Sequence, residues 1–130
     1  MTAKDLRHPL KVARGLGASH SGVHHWWVQR VTSVALIPLA ISFVVSLVSL
    51  PSLDYVTVYS WVHQSWTAVL LVLFIGLACW HSKLGLQVIF EDYVHGGAKT
   101  ILLILSTFAH TLIAAASIFA VLKVAFGSAT

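Results

Sequence analysis

Three long stretches of this chain carry no charged residue: Arg30 to Asp54, Asp54 to Lys83, and Lys99 to Lys123. Crossing about 30 Å of hydrocarbon takes about 20 helical residues at about 1.5 Å each, so every gap is long enough to span a bilayer. Only 9% of the 130 residues are charged and 58% are hydrophobic. A water-soluble domain of this length needs a far more charged surface. The pattern predicts an all-α integral membrane bundle of three transmembrane helices, spanning about residues 26–50, 61–90 and 99–126. A polar arm over residues 1–25 precedes them, so the spans belong to a membrane domain over 26–130. Pro38 lies inside the first span and predicts a kink there, with neighbouring helices re-satisfying the freed carbonyl. Gly96 and Gly97 predict a helix stop between the second and third spans.

The cations orient the spans. Lys4, Arg7, Lys11, Arg14 and Arg30 precede or open the first span, and Lys83 and Lys99 flank the second loop. The first loop has no cation, and the far end offers only Lys123. The positive-inside rule then places the N-terminal arm and the second loop in the cytoplasm, in a bacterial inner membrane. Trp26, Trp27, Trp61 and Trp66 fall near span ends, as interfacial aromatics do. The first 26 residues hold no apolar run of the secretory type, so a cleaved leader is not expected. The net charge of +4 is a topology signal rather than a nucleic-acid footprint, because its basic residues flank apolar spans. A single cysteine, Cys79, excludes an intrachain disulfide, a cysteine-ligated zinc site and an iron–sulphur cluster held by this chain alone.

Ionisable groups inside a bilayer are costly and default to functional candidates. His81 and His110 qualify, both roughly 13–17 Å along their helices from the expected cytoplasmic side. A neutral imidazole on a rigid membrane helix can ligate heme iron, and it can equally form an ordinary interhelical hydrogen bond. After His81 the chain reads HSKLGLQVIFEDYVH, which gathers Gln87, Glu91, Asp92, Tyr93 and His95 near the interface. A phenol beside carboxylates can bond a quinone carbonyl and relay protons; it can also be an interfacial tyrosine with a solvated acidic turn. In GVHHWWVQR, residues 22–30, the arginine at the mouth of a span can pair with a heme propionate or snorkel to lipid phosphate. Lys83 is unusually polar for a span and is expected to snorkel toward phosphates or a partner.

Two of these motifs in register resemble the small hydrophobic membrane-anchor subunit of succinate dehydrogenase, respiratory complex II. One is Gly22-Val23-His24, with Arg30 six residues after the histidine. The other is His81 followed by Gly85, Gln87, Asp92 and Tyr93 at intervals of four, six, eleven and twelve residues. The resemblance runs from about Ser19 onward. It implies that His81 is an axial ligand of a b-type heme whose other ligand comes from a cytochrome b-type membrane subunit. It implies that Tyr93 and Asp92 belong to a ubiquinone site, and that His24 and Arg30 approach the heme propionates. FAD and the iron–sulphur clusters would reside in partner flavoprotein and iron–sulphur subunits docked on the cytoplasmic face, so dehydrogenation would occur outside this chain. The bulky Trp26-Trp27 pair after His25 departs from that pattern, and His110 has no counterpart in it. Ligation of one heme by both His81 and His110 is therefore a rival. Other rivals are a heme-free structural anchor and a small transporter subunit relaying protons through the two histidines.

Overall fold

The computed structural model describes residues 20–127, with side chains from Gly22 onward. Lys4, Arg7, Lys11 and Arg14, on which the expected topology leans, lie outside the described residues. Helix α1 covers His20–Val48, α2 Tyr55–His63, α3 Ser65–Tyr93 and α4 Gly97–Phe126. No strand occurs among the described residues. Three of the helices are long and apolar enough to cross a membrane. The protein is thus an all-α, multi-pass membrane protein. The last residues assigned to the polar arm, 20–25, already belong to α1.

The connection before the second span is helical: α2 forms largely from residues expected in the first loop and takes in only 61–63 of the expected span. Asp54 caps α2 by accepting from the Thr57 amide at 3.0 Å and the Thr57 hydroxyl at 2.9 Å. The Ser52 hydroxyl donates to the same carboxylate. These hydrogen bonds, Ser52 first and then Thr57, lower the Asp54 pKa to about 2. Gln64 then turns the chain with an extended backbone, φ −65° and ψ 125°, and α3 starts at Ser65. Trp61 therefore sits on α2 rather than on the second span. At the other end, α3 stops at Tyr93 and Gly96 caps α4 at φ 70°, a conformation open to glycine and strained for other residues. Helix α1 continues through Pro38.

Helix α3 lies between α1 and α4, and α1 and α4 do not touch among the described residues. The spans form a row rather than a closed ring. Near the Val48 end Phe43 stacks on Phe74, centroids 5.3 Å apart. Helix α2 fastens that same end. The His63 Nδ1–H donates to the Val124 carbonyl at 2.9 Å, and the Tyr59 hydroxyl reaches the Gly127 carbonyl at 3.4 Å. Among the described residues only Thr32, Thr67, Ala68 and Leu84 are buried. A soluble protein could not fold around so small a core; lipid or partner helices must cover the outward-facing Val, Ile, Leu and Phe side chains. Hydroxyls on those surfaces satisfy themselves on their own helices, as Ser46, Thr107 and Thr111 do against carbonyls four residues back.

Candidate functional site: a polar seam between two membrane helices

Residues 22, 25, 29 and 32 recur on one face of α1, at the spacing that lines up side chains over successive helical turns. In this chain they are Gly22, His25, Gln29 and Thr32, and the face they form meets α3. Opposite them, His81, Leu84, Gly85, Val88 and Glu91 follow the same rhythm. Gly85 faces Gln29 across the seam: a Cβ built there would meet the Gln29 amide nitrogen at 3.6 Å, an ordinary contact.

His81 is held at the centre of this seam. Its Nδ1 lies 2.9 Å from the Thr32 hydroxyl oxygen, and its Nε2 lies 3.3 Å from the Gln29 side-chain nitrogen. The Thr32 hydroxyl lies 2.8 Å from the Val28 carbonyl, to which its single proton goes. Thr32 therefore accepts from His81 Nδ1–H. That assignment leaves the Nε2 lone pair as the acceptor for the Gln29 amide. A second contact on one ring nitrogen that fixes the tautomer of the other is the arrangement found behind metal-ligating histidines.

Toward the Gly22 end the seam opens into a cleft of about 420 Å³ lined by Gly22, His25, Trp26, Gln29, Gln87, Val88 and Glu91. Two buried atoms there, His25 Nε2 and Gln29 Oε1, have no hydrogen-bond partner among the described residues. At the cleft mouth the Gln87 amide donates to the Glu91 carboxylate at 2.8 Å.

The residues singled out in the sequence distribute unevenly around this seam. At about 100° per residue, Asp92 returns to within about 20° of the His81 face of α3, and Tyr93 lies about 120° round from it. Tyr93 is 79% exposed, and Asp92 is exposed as well. Arg30 is exposed with its guanidinium 5.4 Å from the Trp26 ring centroid, about 100° round α1 from Gln29. His24 is exposed about 140° from Gln29, so the seam takes the second histidine of the motif, His25, rather than the first. Gln29, Thr32 and His25 were not among the sequence candidates. Their signal was a polar repeat at helical spacing inside an apolar span.

His110 occupies the other seam. Its Nδ1–H donates to the Ser106 carbonyl at 2.8 Å, and its Nε2 accepts from the Ser82 hydroxyl at 3.2 Å. The two histidines engage different neighbours of α3. Lys83 places its ammonium 5.3 Å from the Trp80 ring centroid. Among the described residues no group of three or more His, Cys, Asp or Glu side chains converges as a chelating metal site.

The family model for the succinate dehydrogenase/fumarate reductase transmembrane subunit matches residues 4–123. The succinate dehydrogenase hydrophobic membrane anchor subunit of Paracoccus denitrificans is 27% identical over 120 residues, covering 92% of this chain and 93% of that protein. The subunit of the same name from Rickettsia felis is 31% identical over 101 residues, covering 75% and 83%. That of Rickettsia conorii is 26% identical over 107 residues, covering 80% and 85%. No solved structure matches.

Proposed function

Because the chain belongs to the succinate dehydrogenase/fumarate reductase transmembrane-subunit family, as a membrane anchor, we propose that it contributes one axial ligand, His81, to a b-type heme and part of a ubiquinone-reduction site. The observation that carries this reading is the Thr32 contact, which directs the Nδ1 proton away and leaves Nε2 with its lone pair. The donor chemistry of His81 fits heme iron, with the Gln29 amide as the partner that ligation displaces. The other ligand belongs to a cytochrome b-type membrane subunit, since His81 faces α1 while His110 lies in the seam between α3 and α4. A heme held there would supply one-electron storage beside the quinone.

The chain's own residues do the remaining work. Tyr93 donates to a quinone carbonyl and Asp92 sits in the same neighbourhood, one residue apart at the end of α3. Arg30 and His24 offer positive charge and hydrogen bonds to the propionates from the flanks of α1. The Gly22 end of α1 and the Tyr93 end of α3 face the cytoplasm of a bacterial inner membrane, where the iron–sulphur and flavoprotein subunits dock. Electrons from succinate cross FAD and iron–sulphur clusters in those subunits before reaching the quinone.

Two measurements on the purified complex test the reading. A dithionite-reduced spectrum should show a b-type α-band that His81→Ala abolishes; a native complex without the band overturns the heme assignment. Tyr93→Phe should lower quinone reduction about tenfold relative to succinate oxidation by an artificial acceptor. An unchanged ratio removes Tyr93 from the site.

A further inference from the structure

Lys83 is the charged side chain of the spans that the heme and quinone readings leave unused. It follows His81 by two residues and points about 160° round α3 from it, away from the seam with α1. Its ammonium lies 5.3 Å from the Trp80 ring centroid, and among the described residues it makes no ion pair or hydrogen bond. An ammonium within a span is costly unless it meets an anion or reaches the interface. Lys83 lines an open groove of about 300 Å³ between α3 and α4, with Gln87, Ser106, Ile104 and Phe108 beside it. Among the described residues no carboxylate lines this groove, but hydrogen-bond donors do. Gln87 spends one amide hydrogen on Glu91 and keeps the other. The His110 Nδ1–H goes to the Ser106 carbonyl at 2.8 Å, so the Ser106 hydroxyl, 3.4 Å from that nitrogen, keeps its own proton to give. Trp80, Ile104 and Phe108 are exposed around these donors. Donors without an acid, edged by exposed apolar side chains, match a phosphate that carries acyl chains.

The depth of Lys83 follows from the seam. Thr32 meets His81 at 2.9 Å, so α1 and α3 are level there. On α1, Arg30 lies about 3 Å and the Trp26–Trp27 pair about 8 Å from that level toward the Gly22 end. On α3, Lys83 lies about 3 Å from it in the same direction. Lys83 is thus level with Arg30 and about 5 Å short of the tryptophans that mark the interface, a gap that its four-carbon stem can bridge. A partner carboxylate at this depth would bring a desolvation cost of its own, whereas a lipid phosphate is already charged at the interface. Farther toward the same end Lys99 adds a second positive charge, its ammonium donating to the Glu91 backbone carbonyl at 3.2 Å. Two cations favour a headgroup of net negative charge over one that carries its own ammonium. We propose that the groove between α3 and α4 binds an anionic phospholipid, its phosphate held by Lys83, Gln87 and Ser106 and its acyl chains lying against Trp80, Ile104 and Phe108. The site stands on the outer side of the row of helices and does not depend on the heme or the quinone.

The experiment uses the assembled complex, native or carrying Lys83→Met, Lys83→Arg or Ser106→Ala. Each form is washed in mild detergent, and the phospholipid that stays bound is identified and counted by mass spectrometry. The native complex should retain phosphatidylglycerol or another anionic phospholipid in preference to phosphatidylcholine. Lys83→Met, which keeps the length of the stem and loses the charge, should retain about fivefold less. Lys83→Arg should retain as much as the native complex, and Ser106→Ala should fall between the two. In nanodiscs, phosphatidylglycerol should raise the thermal unfolding temperature of the native complex above its value in phosphatidylcholine, and Lys83→Met should erase that gain. Inorganic phosphate added to phosphatidylcholine nanodiscs should not reproduce it. Equal retention of the two lipids by the native complex overturns the proposal, as does native retention in Lys83→Met. A Lys83→Met complex that sheds a partner subunit while keeping its lipid also overturns it, because the anion facing Lys83 would then be an acid of that subunit. A gain that inorganic phosphate does reproduce makes the groove a site for the free anion and removes the lipid.

Discussion

The two membrane histidines make a controlled comparison within one chain. Both are partly buried, both lie well inside spans, and both have each ring nitrogen engaged. They differ in what engages them. His110 spends one nitrogen on a carbonyl of its own helix and the other on Ser82, so it joins α3 to α4 with nothing left over. His81 is anchored through Nδ1 by Thr32, and its Nε2 meets only a flexible amide beside a cleft. Each imidazole ties two spans together, His81 joining α3 to α1 and His110 joining α4 to α3. The difference lies in the partner of the second nitrogen: a side-chain amide on α1 for His81 and a hydroxyl on α3 for His110. Residue type and depth, which are all that a sequence reveals, do not separate the two.

The largest effect that could break this comparison is on the proposed heme. His81→Ala should remove the b-type band entirely, whereas His110→Ala should leave it in place; the reverse pattern in reduced spectra would exchange the two roles. Next is the anchor behind the ligand. Thr32→Val deletes the acceptor for Nδ1–H, and about tenfold weaker heme retention is expected in extraction assays, with Thr32→Ser recovering it. A smaller effect is expected across the other seam. Ser82→Ala removes an interhelical hydrogen bond of the kind worth about 0.6 kcal/mol in membranes, so thermal unfolding of the complex in detergent should shift slightly with the spectrum unchanged.

The smallest effect lies far from both histidines, at the α2 cap. Asp54 has a folded-state pKa of about 2 against an ordinary 3.8, so its contribution is complete above about 3.8 and lost as pH falls toward 2. Amide exchange at Thr57 should accelerate across that window, after allowance for the intrinsic pH dependence of exchange. Asp54→Asn should flatten the response while keeping most of the cap.

The three spans were legible in the sequence because charge in hydrocarbon is costly and its absence leaves a visible gap. The short helix α2, in place of the expected first loop, was not legible. No glycine or proline marks the turn at Gln64, which is set by one extended residue between two apolar helices. His81 was legible as a candidate, and so were Asp92 and Tyr93, but their angular relation follows only when one continuous helix joins them. Gln29 and Thr32 were visible as polar residues in an apolar span. Their importance depends on which face of α1 meets α3, a pairing that no local pattern encodes. His24 was singled out and His25 passed over for the same reason: adjacent residues on a helix point about 100° apart, and only packing selects between them.

The fastening of α2 onto α4 also has a consequence for how the protein is made. The His81 seam joins residues 49 and 52 positions apart and needs nothing beyond α3. The contacts from Tyr59 and His63 bridge 68 and 61 positions and require the last turn of α4. As the chain leaves the ribosome, the histidine can therefore find Thr32 and Gln29 while α4 is still being synthesised, and the opposite rim closes only afterward. A nascent chain paused before α4 would already hold its His81 seam at one edge of an unfinished protein.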